Sequence, residues 1–239
     1  MMKKTVQGFI VLAALLWSTG GAQARDLLKD LQIDVYGLGG GSTIVDAQNF
    51  TSAGRLFHTR MEPGYKFSFG VSIPYNKYLS IESGYTYGPN NLVLSNLDVF
   101  PHVGTVYASH TYIGNLSAVV HAPVVFHHFR PYGEVGVEYD RFSPTKQAID
   151  YAYYNGWAAA ATANMNHNDK FGFSLGAGLD RKLTRRLSLR IDLRDHVTGA
   201  PAFGIPYAPN TNSIASYPIK ARADDIVYEA GFVYHLGKL

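Results

Sequence analysis

The sequence predicts an all-β fold, a transmembrane antiparallel up-and-down β-barrel of eight strands, and three observations carry that prediction. The first is the stretch 187–197. Leu187, Leu189, Ile191 and Leu193 fall on one face at period two, and Ser188, Arg190, Asp192, Arg194 and His196 fall on the other. Successive side chains of a strand point to opposite faces, whereas a helix would mix these residues around its circumference. The second is composition. Charged residues make up 16% of the 239-residue chain, against roughly 25% in soluble domains. Tyr numbers 17, Phe 13 and Gly 24. The third is the start of the chain, where Met1-Met2-Lys3-Lys4, the apolar run 9–17 and the small-x-small triplet Ala22-Gln23-Ala24 read as a secretory signal peptide. That run is too short to be a membrane-spanning helix. The expected organisation is a signal peptide over 1–24 and one barrel domain over 25–239.

The strands follow in order. Residues 31–38 place Leu31, Ile33 and Val35 opposite Gln32, Asp34 and Tyr36, and Gly39-Gly40-Gly41 is expected to end or bend this strand. Residues 42–63 read as a loop. Residues 64–73 alternate clearly, with Tyr65, Phe67, Phe69, Val71 and Ile73 opposite Lys66, Ser68, Gly70 and Ser72. Pro74-Tyr75-Asn76-Lys77 is a tight turn. In 79–87, Leu79, Ile81, Tyr85 and Tyr87 oppose Ser80, Glu82, Gly84 and Thr86, and a loop follows over 88–106. Residues 108–120 form a weaker strand. Residues 132–141 set Val135, Val137 and Tyr139 against Glu134, Gly136, Glu138 and Asp140.

A long loop is expected over 142–169, then a strand over 171–179 with Phe171, Phe173, Leu175, Ala177 and Leu179 opposite Gly172, Ser174, Gly176 and Gly178. The turn 181–186 is short and basic. Residues 198–225 are a long loop, and the closing strand 226–236 places Tyr228, Phe232 and Tyr234 opposite Glu229, Gly231 and His235. No helix-period segment and no repeat is read along the chain.

One face of these strands is continuous Phe, Tyr, Leu and Val. The other is Gly, Ser and Thr with single charges, unlike the Lys/Glu-rich exterior of a soluble barrel. Strands of about ten residues tilted near 45° rise roughly 23 Å, close to the apolar band of an outer-membrane barrel. Tyr65, Tyr85, Tyr87, Tyr112, Tyr139, Phe171 and Tyr228 would gather at one rim, and Tyr75, Tyr78, Phe129, Tyr132 and Tyr234 at the other.

On this pattern the chain resembles the small eight-stranded outer-membrane barrels of the OmpA transmembrane domain and OmpX type, over roughly 31–239. The resemblance implies an integral protein of the Gram-negative outer membrane, porin-like in architecture, with both termini in the periplasm and long loops outside the cell. Its implied partners are outer-membrane lipid and lipopolysaccharide, and the barrel-assembly machinery during insertion. Members of the type usually end on an aromatic residue, whereas this chain ends Leu236-Gly237-Lys238-Leu239.

Candidate chemistry is sparse. There is no cysteine, and the formal charge of +3 falls to +1 once Lys3 and Lys4 are removed, so nothing draws the chain to nucleic acid. His127-His128 would point apart in extended chain, and no ligand set completes them. Ser109-His110 resembles the rim residues of lipid-A-modifying barrel enzymes, but the deacylase pattern sets His and Ser two apart, and Tyr112 stands where the serine is required. No catalytic residue, cofactor or metal is expected.

The inward polar set is richer: Asp34 with Lys66, Glu82, Glu134, Glu138, Arg190, Asp192, Arg194 and Glu229. Charges in so narrow a lumen must be paired. They would form either a gated pore or a salt-bridge plug, and the plug is the expectation, with Glu229 reaching one of the arginines. The loops 142–169 and 198–225 offer Tyr153, Tyr154, Trp157, Tyr207 and Tyr217 as candidates for recognising an extracellular ligand, since Tyr/Asn-rich surfaces suit adaptable contacts. The functional expectation is a structural or surface-interaction barrel. The alternatives are a narrow pore, a lipid-A-modifying enzyme or a soluble ligand-binding barrel.

Overall fold

The computed structural model describes residues 32–45, 48–52, 55–96, 104–126, 128–154, 166–201 and 222–236. The expected signal peptide, Trp157, Tyr207 and Tyr217 lie outside these. Eight strands form the closed wall: β1 (Ile33–Val45), β4 (Gly64–Pro74), β5 (Leu79–Pro89), β8 (Ser109–His121), β9 (Phe129–Pro144), β10 (Asn168–Lys182), β11 (Leu187–Gly199) and β12 (Arg222–Leu236). All neighbours are antiparallel, and β1 closes the barrel between β4 and β12. A 13-residue strand such as β1 tilted near 45° rises roughly 30 Å, enough to cross the apolar layer.

The alternation read from the sequence is the burial pattern of the wall. Outward, Phe69, Phe173 and Phe171 are 58%, 65% and 84% exposed. Inward, Ser68, Glu82, Ser174, Arg190 and Arg194 are buried. Tyr87 and Tyr112 meet at a tilt across β5 and β8, 5.3 Å between ring centroids, and Tyr139 and Phe171 meet edge-on at 5.3 Å, as an interfacial girdle requires. Tyr132 departs from the expected girdle: it is 4% exposed and faces inward. Its strand β9 opens at Phe129, three residues earlier than its alternation suggests.

Four segments correct the sequence reading. Gly39-Gly40-Gly41 does not end β1, which runs on to Val45. Outward Gly39 lies against the Phe67 ring, and Gly41 against the Tyr228 ring, so neighbouring aromatics cover the strand where side chains are missing.

The expected loops 42–63 and 88–106 carry four further strands: β2 (Gln48–Ser52), β3 (Arg55–Met61), β6 (Leu92–Asn96) and β7 (Gly104–Tyr107). They form a separate sheet in the order β2-β3-β6-β7, so the first two long connections are joined through the β3–β6 pair. Within the expected loop 142–169 stands a helix, α1 (Lys146–Tyr154). Thr145 caps it: its Oγ1 accepts from Ala148 N at 3.1 Å. Nine residues are too few to show a helical period in the sequence.

The short connections repeat one device. Asn76 Oδ1 accepts from the Tyr78 and Leu79 N–H groups, and Thr184 Oγ1 from those of Arg186 and Leu187. Polar side chains thus close both turns locally.

At the β1–β12 seam the backbones approach closely. A Cβ on Gly40 would stand 1.9 Å from the Tyr228 carbonyl oxygen and 2.8 Å from Glu229 Cα, whereas one on Gly37 would meet nothing within 4 Å. Gly40→Ala is expected to lower stability by about 1–3 kcal/mol through backbone displacement, and Gly37→Ala to leave it nearly unchanged. Urea unfolding of the bilayer-reconstituted barrel, followed by tryptophan fluorescence, checks the contrast.

Candidate functional site

The site is the bore of the barrel, and period two places its residues. Even-numbered positions of β9, β10, β11 and β4 face inward, so Glu134, Glu138 and Asp140, then Asp180, then Arg190, Asp192, Arg194 and His196, then Lys66 enter the bore; odd-numbered positions of β12 bring Asp225 and Glu229. Four positions around the wall separate β11 from β5. A bond between them therefore spans the diameter.

Arg190 makes that bond. Its Nη1 donates to Glu82 Oε1 and Oε2 at 2.9 and 3.0 Å, while Nε and Nη2 donate to Asp180 at 2.9 and 3.1 Å. The planar fork lets one guanidinium hold two carboxylates at once. Tyr36 and Tyr132 flank it, with ring centroids 5.5 and 4.8 Å from Cζ. His121 Nε2 lies 3.2 Å from Asp180 Oδ2 and extends the layer toward the short-turn end.

One layer further in, Arg194 pairs with Glu134 and, at 2.7 Å, with Asp192. The Tyr132 hydroxyl donates to Asp192 Oδ1 at 2.9 Å. His196 Nδ1 and Glu138 Oε2 are 2.6 Å apart in the layer above.

Nearest the long-loop end, Lys66 Nζ donates to Asn90 Oδ1 and Asp225 Oδ2, both at 2.7 Å. Asn90 is a junction: Thr111 Oγ1 donates to its Oδ1 at 3.0 Å, and its Nδ2 donates to the Glu62 carbonyl at 3.2 Å. Its own carbonyl accepts from Ser109 Oγ.

Of the residues expected in the lumen, Glu82 and Arg190 share one layer, Glu134, Asp192 and Arg194 the next, and Glu138 and Lys66 lie beyond them. Glu229 does not reach an arginine: its register partner on β11 is Asp192, so two carboxylates face each other across that pair. Asp34 is held by His235 Nδ1 at 2.8 Å. Tyr153 and Tyr154 fall in the last turn of α1.

Sequence reasoning missed Asp180, Asp225, Asn90 and Tyr132, and it left Asp140 and His196, though read on the polar faces of their strands, out of the lumen set. Asp180 continues the inward alternation of its strand by one step, and that step was readable. Asn90 carried no such signal, because it stands just past β5 and acts through contacts 24 and 21 residues away in sequence.

Carboxylates outnumber cations in the bore. Asp140, 1% exposed, has two oxygens with no protein partner among the described residues, and Asp225 and Glu229 each have one. No group of three or more His, Asp or Glu side chains among the described residues is arranged to hold a metal ion. Ser109 is buried inside the wall, whereas the neighbouring His110 stands on the lipid side, its Nδ1 3.2 Å from the Tyr87 hydroxyl. Below the Arg190 layer the bore widens into a cavity of about 700 Å³ at the short-turn end, lined by Asp34, His121, Asp180, Lys182 and His235 among others.

An apolar exterior, a closed wall and a charged interior define an integral β-barrel of the bacterial outer membrane. The family model described as the outer membrane protein beta-barrel domain matches residues 9–237, and the chain belongs to that family. Among solved structures it is similar to the outer membrane protein OprG from Pseudomonas aeruginosa, with a TM-score of 0.54 and 11% identity over 88% of this chain and 98% of that one. It is also similar to the outer membrane protein AlkL, solved in DMPC lipid bilayers, with a TM-score of 0.53 and 13% identity over 87% of this chain and 90% of that one. Neisserial surface protein A matches at 0.47 and 11% identity, over 85% and 96%. At these identities the likeness concerns the fold alone. No curated protein matches the sequence.

Removing one partner of a buried pair leaves the other charged and desolvated. Lys66→Met is therefore expected to cost about 3–5 kcal/mol. Lys66→Met combined with Asp225→Asn should recover part of that loss. Denaturant midpoints of the three reconstituted proteins check the order.

Proposed function

We propose that this chain is a structural and surface-interaction barrel: a wall with a plugged lumen, short turns and termini in the periplasm, and long connections outside the cell. The observation that carries the reading is the diametric bond of Arg190 to Glu82, flanked by Tyr36 and Tyr132 and stacked on the Arg194 layer. Buried guanidinium groups held by two carboxylates each leave little room for a continuous water path at that level. The orientation rests on the asymmetry of the connections, since outer-membrane barrels keep short turns on the periplasmic side. The extra sheet and α1 add structured surface at the opposite end, which suits contact with lipopolysaccharide or an extracellular ligand. The non-enzymatic reading rests on Ser109 and His110 lying on opposite sides of the wall.

Planar-bilayer recording tests the plug. The wild type is expected to be silent, and Arg190→Ala to leak. Because the bore is net anionic, the leak should be cation-selective, with a reversal potential displaced toward that of the cation. A steady, large conductance in the wild type would refute the plug. Mass spectrometry of lipid A tests the second part: overexpression of the wild type and of His110→Ala should give the same acylation pattern. A wild-type change abolished in the variant would make the barrel an enzyme. Single-cysteine labelling of intact cells at Thr184 and at Lys146 tests the orientation, with only the latter expected to react.

A further inference from the structure

The two ends of the barrel treat their charges differently. At the long-loop end three of the described cations are matched: Arg141 with Asp169 at 2.7 Å, Lys146 with Asp150 at 3.6 Å and Arg222 with Asp224 at 2.5 Å. At the short-turn end Lys77, Arg181, Lys182, Arg185 and Arg186 are exposed. The carboxylates nearest to them among the described residues, Asp34 and Asp180, are turned into the bore and occupied, Asp34 by His235 and Asp180 by Arg190 and His121. Among the described residues the rim is thus positive with no carboxylate to answer it.

Its construction is that of a membrane interface. Lys77 Nζ lies 4.8 Å from the centroid of the Tyr78 ring, and Arg181 Cζ 5.3 Å from that of Phe129. Long cationic side chains laid over aromatics at the edge of an apolar wall carry their charge to the depth of lipid headgroups. Beside them Val124, Val125 and Phe126 are 65%, 60% and 68% exposed in the segment 122–126 that follows β8. Arg130 ties this segment to its neighbour: it donates to the carbonyl oxygen of Lys77 and, at 3.3 Å, to that of Ala122. The rim is therefore a braced platform.

We infer that this rim docks anionic phospholipid headgroups, the phosphodiesters of the leaflet that meets the short turns. Lys77, Arg181, Lys182, Arg185 and Arg186 supply the charge, and Val124, Val125 and Phe126 supply the apolar contact with the acyl boundary. An acidic soluble partner would match the charge but would have no use for the exposed apolar segment or for cations laid against the lipid-facing wall. That the leaflet is the periplasmic one rests on the orientation proposed above. Lipid binding by the purified barrel does not depend on orientation, so failure here and failure in the cell-labelling experiment are separate results.

The test is native mass spectrometry of the full protein, released from micelles containing equal phosphatidylglycerol and phosphatidylcholine. The wild type is expected to retain phosphatidylglycerol at least fivefold over phosphatidylcholine. Lys182→Gln with Arg185→Gln and Arg186→Gln should bring the ratio near one, while Lys146→Gln with Arg222→Gln at the other end should leave it unchanged. If the triple variant fails to fold, raising the salt during wild-type lipid exchange gives the same information, since screening should collapse the preference. Equal retention by the wild type, a preference that survives both neutralisation and salt, or displacement of the lipid by soluble polyglutamate overturns the inference.

Discussion

Lipid offers no partner to a backbone N–H or C=O, and everything else in this structure follows from that constraint. A sheet in such a solvent must close, and here β1 closes it by pairing with β12 on one side and β4 on the other. Closure at eight strands leaves a bore only wide enough for side chains. The alternation of each strand then has one admissible sense, aromatic and aliphatic residues out and small or charged residues in. Charges enclosed in that bore must find each other across it. Arg190 to Glu82 is a bond between opposite walls, possible because the wall is so narrow.

The parts of the fold legible in the sequence are those set by alternation alone. Leu187 to Val197 could be read from its own residues because every inward position is polar and every outward one except Asp195 is apolar. The opening strand could be read only as far as Leu38: Gly39 and Gly41 carry no side chain to reveal an outward face, and rings from β4 and β12 supply the missing cover. The strands β2, β3, β6 and β7 stand on pairing with each other, as in Phe57 with Asn96 or Thr59 with Leu94, and pairing partners do not show in a single stretch. The same limit explains the lumen. Alternation put Glu229 and Arg194 inside, but which side chain meets which depends on register. The register sets Glu229 against Asp192 and gives Arg194 to Glu134.

Asn90 shows how the wall and the long connections are joined. It stands between β5 and β6, where the barrel ends and the smaller sheet begins. Its side chain accepts from Lys66 and Thr111 within the wall and donates to the Glu62 carbonyl outside it, and its backbone is bound to Ser109. Glu62 N and the Asn91 carbonyl, 2.7 Å apart, add a second stitch at the same level. The first two long connections are therefore fastened to the plug itself, through a residue that touches both. A change in the uppermost layer of the bore has a direct route to the surface the long connections present.

Buried ion pairs are poor sources of net stability, since taking both charges out of water offsets their attraction. Their use here is better understood as selection among alternative closures. A strand shifted by two residues keeps its apolar face outward and its small residues inward, so the lipid cannot reject it. The lumen can. A two-residue slip of β11 would put Asp192 where Arg190 now meets Glu82 and Asp180, gathering three carboxylates at a level where no guanidinium remains between them. The cost of that juxtaposition in a narrow, poorly solvated bore is far larger than any loss on the outer face. Arg190 and Arg194 lie four residues apart, with Asp192 between them, and this alternation of sign along one inward face makes every slip by two a mismatch. The charged interior therefore does for register what the apolar exterior does for sidedness.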